Sequence, residues 1–241
     1  VDVSPTERGL IERLDTPLRI LESHGVRTLV VFDEFQDVLE AREDADEVIR
    51  SSIQHHGEAA SYVFAGSELG LMHEMFADRR RAFYRQADRV DLQPLDPVDL
   101  GDYVRARFSA GGKVIGAGAL GALLDRAQGH PRTAMLLAHE LWDRAAAEIE
   151  VDLATYDDAE AAAMEKASSD LRAIWRGVTA SERDVLTRLA RGVGPYSKGA
   201  EGEKQSGGAV AGAINRLLDA GEIVEGEGAY RIVDPLLAEL I

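Results

Sequence analysis

Cysteine is absent from the 241 residues, which excludes both a disulfide framework and a thiolate metal site. Cations are scarce. Lys and Arg total 27 against 43 Asp and Glu, a net charge of −16 that favours solubility and opposes non-specific binding of polyanions by the whole surface. No uninterrupted apolar run approaches the roughly 18 residues needed to cross a bilayer, because Gly or Asp breaks the longest ones. No charged-then-apolar leader precedes the first amphipathic pattern, so a cytoplasmic protein is expected. His55, His56, His73, His130 and His139 share no metal-ligand spacing with carboxylates and read as structural or surface residues.

Enough remains to build a core, since 45% of the residues are hydrophobic. Leu10, Ile11, Leu14, Leu18 and Leu21 recur at helical spacing before Gly25, predicting a first helix over Ser4 to His24. Thr28 to Phe32 is apolar at every position after Thr28, as in a strand covered on both faces of a parallel sheet. A helix (Asp44 to His56), a strand (Ser61 to Ala65), a helix (Leu69 to Phe76) and a strand (Arg89 to Leu92) continue an alternating βα order. Pro94 and Pro97 end it.

Helices over Pro97 to Phe108, Ala117 to Gln128 and Arg132 to Ile149 follow. Val151 to Lys166, acidic and rich in alanine, reads as a connecting helix or solvated linker. The last part predicts a helix opened by Ser181 and running to Arg191, a Gly- and Lys-containing stretch over Gly192 to Gly208, and a helix over Val210 to Ala220. A hairpin then turns at Gly226-Glu227-Gly228. Helix, helix, two-stranded wing is the order of a winged helix.

The chemistry concentrates where the apolar strand runs into Asp33 and Glu34. A strand is rigid, and its carboxyl end is where open α/β sheets place ligands. One carboxylate there can hold Mg²⁺ through a water, while the next orients or deprotonates a water that attacks a terminal phosphate.

Four segments, VVFDEFQDV (Val30 to Val38), VFAGSELGLM (Val63 to Met72), FYRQADRVDLQPL (Phe83 to Leu95) and GHPRTAMLLAHEL (Gly129 to Leu141), occur in this order. Together they resemble an AAA+ ATPase, a P-loop NTPase, and more narrowly the STAND-like archaeal and bacterial ATPases. The resemblance implies that Asp33 and Glu34 are the Walker B pair, with Asp33 the Mg²⁺ residue. Ser67 matches the sensor 1 position. Arg85 matches the arginine before the last core strand, with Arg79 to Arg81 as substitutes for it. Gly129, Pro131 and Arg132 match the sensor 2 region of a helical lid that approaches ATP or ADP.

That family also needs a G-x-x-x-x-G-K-[ST] loop to cradle the phosphates. Gly111-Gly112-Lys113 is followed by Val114 and Gly202-Glu203-Lys204 by Gln205, so neither qualifies. The expectation is therefore the carboxyl-terminal portion of an ATP-dependent molecular switch. Its α/β fold would comprise a partial nucleotide-binding core with a parallel sheet (1–94), a helical lid (95–150), a linker helix (151–170) and a winged helix (171–241). From Ser206 to Ile241 two basic residues stand against six acidic ones, the wrong sign for neutralising DNA phosphates. A protein partner or self-association is favoured over DNA. The alternative is a non-catalytic winged-helix interaction or DNA-binding regulatory protein.

Overall fold

In β1 (Thr28–Phe32) and β2 (Ala60–Phe64) side chains alternate between two faces, and the two strands pair in parallel with Phe32 opposite Phe64. The computed structural model that shows this describes residues 7–41, 44–197, 207–226 and 228–241. The start of the expected first helix, Lys198 to Ser206 of the expected Gly- and Lys-containing stretch, and Glu227 at the hairpin turn lie outside them. The chain divides into two units, one formed by the residues up to Val90 with Asp219–Gly221, the other by the rest.

In the first unit the expected single opening helix is two, α1 (Glu7–Leu14) and α2 (Thr16–His24), because Pro17 restarts the helix in its first turn. Gly25, at φ 67°, closes α2 in the left-handed region. Three further helices, α3 (Asp37–Ala41), α4 (Ala45–Ile53) and α5 (Leu69–Ala77), complete the elements of this unit. Phe35, Met75, Phe83 and Ile49 are buried together, with Phe32 and Phe64 packed against them.

Two expectations fail here. The sheet is not covered on both faces: Leu29 and Val31 are 64% and 58% exposed, and Val63 beside them is exposed too. Nor is Arg89 to Leu92 a strand, although it alternates correctly. A strand exists only through a neighbour's ladder, and this segment has none among the described residues, leaving Val90 and Leu92 80% and 92% exposed.

The second unit begins with α6 (Pro97–Ala110), whose N-cap Asp96 accepts from the Val98 and Asp99 amides. It continues through β3 (Val114–Ile115), α7 (Ala117–Ala127), α8 (Pro131–Arg144) and β4 (Glu150–Val151), with β3 and β4 forming a short parallel pair that the sequence did not suggest. The expected connecting helix forms as part of α9 (Leu153–Gly177), but it is not a solvated spacer. Its Tyr156, Ala159 and Ala163 lie in the core of α6 to α8, and its Ala167 and Leu171 in the next core. The reason is periodic: those residues recur at spacings of three and four and make one apolar stripe under an acidic outer face.

That next core gathers α10 (Ala180–Ala190), α11 (Gly207–Asp219), the antiparallel hairpin β5 (Ile223–Gly226) and β6 (Ala229–Ile232), and α12 (Pro235–Leu240). The cap of α10 is Thr179, not Ser181. Thr179 and Glu182 exchange side-chain-to-backbone hydrogen bonds in a capping box, which a serine two residues further on has no geometry to make. No helix among the described residues is long and apolar enough to cross a membrane.

Candidate functional site

The site is built by a break in the β1–β2 ladder. Ala65 N–H donates to the Phe32 carbonyl at 2.8 Å and the Ala65 carbonyl accepts from Phe35 N–H at 2.9 Å, so Asp33 and Glu34 are looped out between two bonds to one residue. Two residues opposite one is the arrangement of a bulge, a common way to re-aim side chains at the end of a strand. Glu34 carries the turn at φ 47°, a left-handed conformation that a non-glycine residue holds only when its surroundings impose it. Phe35 imposes it. Its ring is buried among Phe32, Phe64, Phe76 and Phe83, and the next residue, Gln36, is 3% exposed, whereas Asp33 and Glu34 are exposed.

From the end of β2, Ser67 meets Glu34. Ser67 Oγ donates to Glu34 Oε2 at 2.9 Å, the Ser67 amide lies 3.4 Å from the same oxygen, and Gln36 Nε2 donates to it at 2.7 Å. These bonds, Gln36 first and then Ser67, hold the Glu34 carboxyl below its ordinary pKa, so it is an anion at neutral pH. Asp33 Oδ1 accepts from the Glu34 amide at 3.1 Å. The donors at the bulge are all oxygens, as Mg²⁺ requires. Among the described residues no group of three or more His, Cys, Asp or Glu could form a protein-only cage. Mg²⁺ is commonly held by one or two carboxylates with water and phosphate oxygens, and the two exposed carboxylates are of that kind.

Of the residues expected in the site, the structure thus brings Asp33, Glu34 and Ser67 together. Arg85 stands apart: it turns at φ 52°, donates its amide to the Phe76 carbonyl, and lays its guanidinium over Tyr84 at 5.2 Å. Among the contacts of the described residues, none joins it to Asp33 or Glu34. Arg80 pairs with Asp78 at 2.7 Å and Arg81 with Glu74, so both are engaged locally.

Gly129, Pro131 and Arg132 lie in the second unit. Gly129 turns at φ 76° with its α-carbon pressed against the Leu95 backbone; a Cβ there would sit 2.6 Å from the Leu95 oxygen. Pro131 opens α8, where its missing N–H costs nothing. Arg132 Nη2 donates to Asp170 at 2.8 Å and Nη1 lies 3.8 Å from Asp234. Beside them Thr133 N–H donates to His130 Nδ1 at 3.3 Å, and burial pushes the imidazole pKa down, consistent with a neutral acceptor. Lys113, in the Gly-Gly-Lys stretch, is occupied as well, donating to the Trp142 carbonyl at 2.5 Å.

Gln36 is the residue sequence reasoning passed over. Its signal was its place in the motif, two positions after Glu34, but only the bulge brings the two side chains together.

No protein-family model matches the chain, and no curated protein matches it in sequence. Among solved structures, a Walker-type ATPase of Pyrococcus abyssi superposes with a TM-score of 0.70, at 17% identity, over 100% of this chain and 68% of that one. The chain therefore has the fold of a Walker-type ATPase over the region the two share.

Proposed function

We propose that this chain carries the Walker B half-site, lid and winged helix of an AAA+/STAND-like ATPase that works as a molecular switch. The observation that supports it is the pairing of Glu34 with Ser67 at the carboxyl ends of two parallel strands, in a fold shared with a Walker-type ATPase. Water would attack the γ-phosphorus of ATP, the bond to the β,γ-bridging oxygen would break, and ADP and phosphate would leave. Glu34 would accept the water's proton or orient the water, with Ser67 donating its hydroxyl to hold the Glu34 carboxylate. Asp33 would hold Mg²⁺ through a water; the ion, when bound, neutralises charge developing on the phosphates. Arg85 and Arg132 supply cations only if they leave Tyr84 and Asp170.

The phosphate-cradling loop would belong to further structure packed against the open face of the sheet. Leu29, Val31 and Val63 offer an apolar surface there, and burying each such side chain stabilises by about 1.5–3 kcal/mol. The acidic helix-helix-hairpin module is read as a contact surface for protein or for a second copy, in a cytoplasmic protein.

The test is Mg²⁺-dependent hydrolysis of labelled ATP by the full-length protein and its Glu34→Gln variant. The variant should bind ATP and retain it, with turnover lowered by about 10²–10⁴-fold. Equal turnover in the two proteins would remove Glu34 from this role.

A further inference from the structure

All the hydrogen bonds that reach the Glu34 carboxylate among the described residues fall on one oxygen, Oε2. Two come from Ser67, already assigned to the site; the shortest comes from Gln36, which nothing assigns. A carboxylate has acceptors only, so the Gln36 amide must turn its NH₂ toward Glu34. Its own Oε1 is thereby directed away, buried and without a hydrogen-bond partner among the described residues. Leaving a buried carbonyl oxygen unpaired is unfavourable. A residue needed only to fill this space would be better served by Leu or Met, so the amide is explained by what it does to Glu34.

Space for that amide is made across the site. A Cβ on Gly66 would lie 2.3 Å from Gln36 Oε1 and 2.6 Å from Met72 Sδ. Gly66 is not in the left-handed region, so its backbone does not demand glycine; the gap is what a side chain would destroy.

We propose that Gln36 is a positioning residue: seated over Gly66, it fixes Glu34 Oε2 beside Ser67 and leaves Oε1 as the oxygen that meets the attacking water. The proposal deepens the ATPase reading and rests on it for the identity of that water. The left-handed turn at Glu34 aims the carboxylate, and Gln36 with Ser67 removes its remaining rotation, so the reacting oxygen is selected before substrate arrives.

The test has two arms. In the nucleotide-free full chain, the side-chain amide signals of Gln36 in a ¹⁵N spectrum should be displaced and protected from solvent exchange. They should move to the values of a free glutamine in Glu34→Ala and in Gly66→Ala, while circular dichroism shows both variants folded. Signals unmoved in Glu34→Ala would overturn the proposal. In ATP hydrolysis by the full-length protein, Gln36→Met should lower kcat roughly ten- to hundredfold with KM for ATP unchanged. Gly66→Ala should do the same, and the double variant should lose little more than either alone, because both act through one contact. Unchanged kcat in a folded Gln36→Met protein would also overturn it. Should the wild-type protein hydrolyse no ATP, the ATPase reading falls, and the amide arm alone decides whether Gln36 holds Glu34.

Discussion

The ring of Phe35 meets that of Phe83 edge-on, with centroids 5.3 Å apart and planes at 89°. This contact joins the residue after the bulge to a residue in the segment after α5, and it anchors the chain where it leaves the left-handed turn at Glu34. Phe35→Ala should therefore lower stability by about 3–5 kcal/mol, read from urea unfolding. Phe35→Leu, which keeps most of the volume, should cost less. If Phe35→Ala cost no more than a surface substitution, Phe35 would not be the anchor of the bulge.

Gly129→Ala should destabilise the protein by about 1–3 kcal/mol, since alanine pays for a positive φ and meets the Leu95 carbonyl as well. Thermal unfolding at constant pH measures this. A neutral effect would mean that the turn between α7 and α8 shifts freely.

Glu140 gives a dependence on pH. Lys166 beside it holds its carboxyl below the ordinary range, with Arg144 adding to this against the opposing effect of burial. A carboxyl whose folded pKa is depressed contributes stability that is present above its unfolded pKa, about 4.3, and is lost as pH falls through the folded value. Glu140→Gln should lower the melting temperature at pH 7, and the gap from wild type should narrow below about pH 4. A gap that stays constant from pH 7 to pH 3 would remove Glu140 from this role.

Glu222 has the opposite sign. Burial raises its pKa, and the nearby charge of Asp234 adds to the rise. The folded state thus binds its proton more tightly than the unfolded state, so its contribution is favourable at low pH and is lost as pH rises through the folded pKa. Glu222→Gln, which stays neutral, should raise the melting temperature at pH 7 and change it little at pH 4. A fall at pH 7 would show that the charge is compensated in the folded state.

The strand leading into Asp33 and Glu34 was legible because an apolar run followed by acids is a local pattern, and so were the hairpin around Gly226 and most helices. The segment Arg89 to Leu92 was misread for the same reason: alternation expresses a preference for extended backbone, while a strand also requires an edge to pair with. Over Val151 to Lys166 the helix was legible but its burial was not. Acidic residues on the outer face of α9 suggested a solvated spacer, and the small alanines beneath them, which let helices approach closely, carried too little hydropathy to announce a buried stripe.

By itself the sequence determined the features set by neighbours in the chain: periodicity, turns, and the succession of an apolar strand and two carboxylates. Only the tertiary structure decided that Ser67 and Gln36 converge on one oxygen of Glu34, that Arg132 is engaged by Asp170, and that one face of the β1–β2 sheet stays open. The physical reason is range. Backbone preferences act over a few residues, whereas a hydrogen bond from Ser67 to Glu34 or from Arg132 to Asp170 depends on the path of more than thirty residues between them. Even Gln36, two residues from Glu34, reaches it only because a buried phenylalanine and the ladder bonds of Ala65 force the chain to turn there.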